Sequence, residues 1–164
     1  MAKKKMDATV KKPSECTPAE LDEFEKLVVA GGEVASHGLR KRIEQAAALV
    51  FINEGSCIAV GAIKKPNKGY KDGVFLKAGV ADKSKEFSYE LGWLYVKPEA
   101  RGNGLGHSLM QAVIKYLGNS SCYATTRENN GSMHHLFSQY DFYRLGKVYP
   151  SNNSYSLVLY ANKP

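Results

Sequence analysis

Glu90-Leu-Gly-Trp-Leu-Tyr-Val-Lys-Pro-Glu-Ala-Arg-Gly-Asn-Gly-Leu-Gly-His-Ser-Leu-Met110 is the stretch that decides how this chain reads. An aromatic, β-prone run leads in, and a loop with Gly102, Gly104 and Gly106 follows Arg101. Leu105, Leu109, Ala112, Val113 and Tyr116 then recur at helical spacing, with Gly118 as the stop. Strand, glycine loop, helix is an order with a chemical consequence. The first backbone N–H groups of the helix have no partner within it, and the helix dipole adds partial positive charge at the same end. The glycines let an anion come close to the backbone, and Arg101 contributes a full positive charge. The loop therefore reads as a phosphate cradle.

Two common nucleotide loops do not fit. A dinucleotide fingerprint needs G-x-G-x-x-G; counted from Gly102 and Gly104, its third glycine falls on His107. The acidic residue that would hold a ribose about 20 residues on is also missing. A Walker loop ends in Gly-Lys-Ser/Thr, and Gly106-His107-Ser108 lacks the lysine.

Working outward, Ala8–Lys12 can form a first strand. Thr17-Pro18-Ala19-Glu20 carries a capping box and a proline at the first helical position. Leu21, Phe24, Leu27 and Val28 then share one face up to Gly31-Gly32, and a second helix begins near Gly38 with Leu39, Ile43, Ala46 and Ala47 inward. Ala48–Ile52 and Cys57–Ile63 read as a hairpin. A Lys- and Gly-rich segment, Lys64–Lys85, can hold a short helix near Val74–Val80. Phe87–Val96 is the clearest strand, and Ser121–Thr126 is another. Asn130 can cap a helix to about Tyr140, and Tyr143–Val148 and Tyr155–Tyr160 form the last two strands. The order implies an α/β fold, one mixed central sheet of about seven strands with roughly four helices on both faces.

Val96-x-Pro98-x-x-Arg101-Gly-x-Gly104-x-Gly106 resembles the acyl-CoA motif of the GNAT acetyltransferases, in which Arg101, Gly104 and Gly106 match the core pattern. Asn130, Leu136, Phe137, Phe142 and Gly146 resemble the family's downstream segment. The resemblance implies a GNAT-like fold and acetyl-CoA as co-substrate, with no metal. It places pantetheine along the backbone of Leu94, Tyr95 and Val96. The phosphates would lie on Arg101, Gly102, Asn103, Gly104, Leu105, Gly106 and His107, with Asn130 and Phe137 on the cofactor side. There are two departures: the family's frequent catalytic Tyr is Phe137 here, and the Gly that usually precedes Phe142 is Asp141.

An amine acceptor must lose a proton before it attacks a thioester, and a carboxylate or a water held by one can take it. Glu90 matches the general base of the histone-acetylating branch; its ordinary alternative is a strand glutamate in a surface ion pair. The backbone N–H of Tyr95 or Val96 is the candidate to stabilise the thioester oxygen. Ser138, Tyr140 and Tyr143 lie near Phe137 in sequence; each has an ordinary role in packing or at the surface, and Tyr140 is kept beside Glu90 as a candidate catalytic group. Protonation of the leaving thiolate by solvent is the alternative. His134 and His135 are adjacent on one helix and point different ways, which argues against a two-His metal site. No cysteine lies in the loop, so direct attack in a ternary complex is expected rather than a covalent enzyme intermediate.

Composition sets the remaining bounds. The 164 residues, 43% apolar and 24% charged, fit one soluble globular domain at 8–164 behind a basic tail at 1–7. No apolar stretch follows the N-terminal lysines, so no signal peptide is expected, and no run is long enough to span a bilayer. Three scattered cysteines suggest a reducing cytoplasm. The formal charge of +7 is uneven: residues 64–87 hold seven Lys against Asp72, Asp82 and Glu86. Those lysines keep open an anionic acceptor or a nucleic-acid-associated protein, although no helix-turn-helix, zinc finger or RNA-binding motif is visible. A solvated loop is their plainer role, and a catalytically inactive acyl-CoA-binding regulator is a further alternative. The expected partner is a small-molecule or peptide amine, taken by a monomer or homodimer.

Overall fold

The computed structural model describes residues 6–162. The tail expected at 1–7 therefore lies mostly outside the described residues. Among them are eight strands, five α-helices and three 3-10 segments, distributed over two compact units that share strand β4 and helix α4 along the chain.

The first unit comprises Met1–Lys64 and Gly92–Tyr116. It contains β1 (Thr9–Lys11), α1 (Pro18–Ala30), α2 (Leu39–Glu44), β2 (Ala48–Glu54) and β3 (Ser56–Lys64). The end of β4 (Tyr89–Val96) and nearly all of α4 (Leu105–Leu117) complete it. The capping box forms as the sequence implies: Glu20 N–H donates to Thr17 Oγ1 at 3.1 Å, and Thr17 N–H donates to Glu20 Oε1 at 2.9 Å. Strands β1, β2 and β3 are antiparallel neighbours, with Val10 opposite Val50 and Leu49 opposite Ala62. Alternation along β2 turns Leu49 and Phe51 toward α1 and α2, where they pack with Phe24, Leu27, Val28, Leu39, Ile43 and Trp93. Tyr116, expected on the apolar face of α4, is 39% exposed. The buried face of α4 is carried by Leu105, Leu109, Met110 and Val113.

The second unit comprises Lys65–Leu91 and Leu117–Pro164. It contains α3 (Lys68–Lys77), the first residues of β4, β5 (Cys122–Arg127), α5 (Gly131–Gln139), β6 (Tyr143–Arg144), β7 (Tyr149–Pro150) and β8 (Ser156–Ala161). Strands β4 and β5 are parallel, with Tyr89 opposite Cys122 and Glu90 opposite Tyr123; β5 pairs antiparallel with β8, which also holds β6 and β7. Helices cover both faces here. Leu159 and Ala161 pack with Val74, Phe75 and Ala78 of α3, while Tyr160 meets Phe137 of α5 with ring centroids 5.0 Å apart.

Two elements differ from the sequence reading. The helix in the Lys-rich segment starts six residues before Val74, because Asn67 caps it by accepting from Tyr70 N–H at 3.2 Å. The expected strand Tyr143–Val148 stops after β6, and β7 lies just beyond its expected end. Gly146 takes a φ of 75°, and Lys147 N–H turns to donate to Ala78 O at 2.8 Å. A Cβ at Gly146 would collide with the Ala78 carbonyl oxygen, so both the conformation and the space require glycine there.

Candidate active site

The glycine loop begins where β4 ends. Pro98–Ala100 makes one 3-10 turn, and Arg101 then extends with its Nε donating to Val96 O at 3.0 Å. Its guanidinium carbon lies 5.7 Å from the centre of the Tyr95 ring. This anchors the arginine in the loop while its terminal amino groups are not used by that bond. Gly102 and Gly104 have φ of 81° and 75°, and a Cβ built on either meets nothing within 4 Å. The two glycines are therefore needed for their left-handed backbone and for the open approach they leave, rather than to relieve crowding. Asn103 Nδ2 donates to Ala100 O at 3.0 Å, closing the loop on itself. Ser108 N–H donates to Gly104 O at 3.2 Å, so the helical ladder starts there and the N–H groups of Leu105, Gly106 and His107 fall in the first turn, before the i→i−4 ladder. Arg101, Gly102, Asn103 and Gly104 are exposed, as is His107. An open, glycine-lined helix start beside an anchored arginine fits a diphosphate.

The strand ahead of the loop is kinked. Trp93 has a φ of 54°, a conformation a bulky residue rarely holds inside a strand. Packing over-determines it: Trp93 is 9% exposed, sits edge-on to Phe24 at 6.2 Å and carries Lys64 Nζ 4.5 Å from its ring centre. Trp93 is therefore a core residue, and Tyr95 packs half-buried against the same cluster. Leu94 fits against Gly61, where a Cβ would lie 2.8 Å from Leu94 Cδ2.

In the second unit the structure assembles a group the sequence did not suggest. Glu90 is only 4% exposed, which rules out the surface ion pair as its alternative. Parallel register puts Tyr123 beside it on the same face. Tyr149 is opposite Leu157 on β8, so it shares the face of Leu159, Ala161 and Tyr123. Tyr70 comes from α3 across that face, and its hydroxyl donates to Glu90 Oε2 at 3.4 Å, a long bond. Tyr70 is 52% exposed as a residue, while its hydroxyl reaches the buried Glu90 carboxylate. Burial, and then the Glu90 charge, pushes the Tyr149 phenol up to about 12. The same two causes, in the same order, raise Tyr70 and Tyr123. Among the described residues, the buried hydroxyls of Tyr123 and Tyr149 have no hydrogen-bond partner.

The other sequence candidates lie on α5 and beyond it. Asn130 is the N-cap, its Oδ1 accepting from Met133 N–H at 3.1 Å. Phe137 is 2% exposed and stacks on Phe142 with ring centroids 5.5 Å apart. Tyr140 is the half-buried C-cap residue of α5. Ser138 Oγ bonds back to His135 O at 2.7 Å, and Tyr143 donates to Asp141 Oδ1 at 3.0 Å, both exposed local contacts. Asp141 has a φ of 61°, which accounts for glycine being usual at that position; aspartate is among the few residues that tolerate it. His134 is held by Glu128 O at 2.8 Å and Tyr160 Oη at 2.6 Å. Glu128 O can only accept, so in the neutral ring Nε2 carries the proton and Nδ1 accepts from Tyr160. Among the described residues, no cluster of three or more His, Cys, Asp or Glu is placed to hold a metal ion, and no helix is long and apolar enough to cross a membrane.

Known proteins bear on the family and the fold. A family model described as "Acetyltransferase (GNAT) family" matches residues 14–142. No curated protein matches the chain. Among solved structures, an acyl-CoA N-acyltransferase from Pseudomonas aeruginosa is similar with a TM-score of 0.67 and 16% identity, covering 96% of this chain and 99% of the other. Escherichia coli ElaA follows with a TM-score of 0.68 and 13% identity, covering 97% and 100%. The ribosomal-protein-S18-alanine N-acetyltransferase of Escherichia coli has a TM-score of 0.66 and 13% identity, covering 94% and 92%. At these identities the structures speak for the fold.

Proposed function

The chain belongs to the acetyltransferase (GNAT) family, and from that premise we propose that it transfers an acetyl group from acetyl-CoA to an amine. The observation that carries the proposal is the open helix start at Gly102–Gly106 with Arg101 anchored beside it. The first N–H groups of α4 and the Arg101 guanidinium would hold the diphosphate, the backbone of Leu94–Val96 would align the pantetheine, and Asn130 and Phe137 stand on the cofactor side by resemblance. When bound, acetyl-CoA supplies an activated acyl carbon: the amine nitrogen forms a C–N bond to it, the C–S bond breaks, and CoA leaves as a thiolate that takes a proton.

Glu90 accepts the proton that the attacking ammonium must shed, directly or through a water. The N–H of Tyr95 or Val96 stabilises charge on the thioester oxygen. Strand β4 carries Glu90 near its start and leads directly into the loop, so one strand bears both the base and the anion site. Phe137 cannot protonate the thiolate; Tyr140 or solvent does. Three free cysteines support a cytoplasmic location. The test is thiol release from acetyl-CoA across polyamines, aminoglycosides, amino acids, peptides and aminoacyl-tRNA. Release with one of these classes is expected, and release with none would leave a CoA-binding regulator as the better description.

A further inference from the structure

We propose that Glu90 and the hydroxyls of Tyr70, Tyr123 and Tyr149 form an acceptor subsite that takes the ammonium group of a primary amine. The inference rests on the acyl-transfer reading and adds the substrate class to it. Its starting point is a polar mismatch inside the second unit. Tyr123 is fully buried and Tyr149 is 3% exposed, yet neither hydroxyl has a partner among the described residues. A buried hydroxyl without a partner is costly and calls for an explanation. Two of them share one sheet face with a buried carboxylate, and a third hydroxyl, that of Tyr70, reaches the same carboxylate.

The chemistry of this group selects a cation. Glu90 supplies negative charge, and the phenols offer oxygen lone pairs and ring faces, all of which attract an ammonium. Neighbouring Glu90 and burial keep the phenols in their neutral form at physiological pH. An ammonium donates three N–H bonds, enough for the carboxylate and both unpartnered hydroxyls. An anionic acceptor would meet the Glu90 charge instead. Two lysines of α3 are engaged elsewhere: Lys68 Nζ pairs with Asp72 at 2.8 Å, and Lys71 Nζ donates to Phe87 O at 2.8 Å. The Lys-rich segment also contributes Tyr70, whose hydroxyl reaches Glu90.

The test uses the full chain and the ultraviolet difference spectrum of tyrosine, titrated with n-butylamine and with spermidine, and with glutarate as the anionic control. Both amines are expected to give a saturable tyrosine perturbation and glutarate none. Tyr123→Phe and Tyr149→Phe each remove an unpartnered hydroxyl, so the melting temperature should hold or rise. Amine affinity should fall about tenfold in each, with acetyl-CoA affinity unchanged. Lys68→Gln should leave amine affinity as it is. Wild-type amine affinity in both Phe variants, no saturable signal with either amine, or binding of glutarate instead would overturn the subsite. If the amines bind and acetyl-CoA does not, the acyl-transfer reading fails while the ammonium site stands.

Discussion

The glycine loop and the Glu90 cluster solve recognition in opposite ways. The loop is exposed, built from backbone N–H groups and two left-handed glycines, and contiguous within six residues from Arg101 to Gly106. The cluster is built from side chains on four separate elements, with Glu90, Tyr123 and Tyr149 buried and Tyr70 reaching in from an exposed position on α3. A site made of backbone needs only the right local conformation, so it can receive the invariant end of a co-substrate whatever surrounds it. A site made of converging side chains depends on each residue type, so it is where one family member can differ from another. On the proposed function, the loop would set affinity for the donor, and the cluster would set rate and acceptor choice.

The largest effect should come from removing the proposed base. Glu90→Gln is expected to lower the rate at neutral pH about 100-fold and to leave acetyl-CoA affinity unchanged. Raising the pH should restore part of the rate as the free amine becomes populated. A pH–rate profile that matches wild type throughout would remove Glu90 from the chemistry and blur the contrast.

The tyrosines give the cluster a second signature. Their folded pKa values are raised above the unfolded 10.0, to about 12 for Tyr149. Below pH 10 both states hold the phenolic proton and nothing is lost. Above it the unfolded chain releases its proton first, so the unfolded state is favoured and stability falls as pH rises from about 10 to 12. Tyr149→Phe should recover on the order of 2 kcal/mol of that alkaline loss, measured by urea denaturation at pH 9 and pH 11.5. Equal alkaline losses in variant and wild type would mean that Tyr149 titrates as an ordinary phenol. A smaller effect belongs to Asn130, whose side chain is already used as a helix cap. Asn130→Ala should cost about 1 kcal/mol of stability. A loss of acetyl-CoA affinity alongside it would add cofactor contact to its capping role.

The same contrast explains what the sequence revealed. The loop was legible because its determinants are local: Gly102 and Gly104, after a strand and before a helix, take the left-handed conformation the turn requires. Caps were legible for the same reason, at Thr17 and at Asn130. Helix α3 was placed too late because its start depends on Asn67, a single cap inside a Lys-rich run. The break between β6 and β7 depends on Gly146 against Ala78, residues 68 positions apart, and no local pattern encodes it. Tyr123 lies inside an expected strand and Tyr149 just past one, and no local pattern marks either residue. Only the register of β5 on β4 and of β7 on β8 brings them to the face of Glu90.

Everything about the donor rests on the claim that the start of α4 holds the diphosphate of CoA, and calorimetric titration of acetyl-CoA into wild type and Gly104→Asp measures it directly. The substitution forces a side chain into a φ of 75° and sets a negative charge at the helix N-terminus. Affinity is predicted to fall about 30-fold, roughly 2 kcal/mol, with the fold intact by circular dichroism. Equal affinity in a folded Gly104→Asp variant would contradict the assignment.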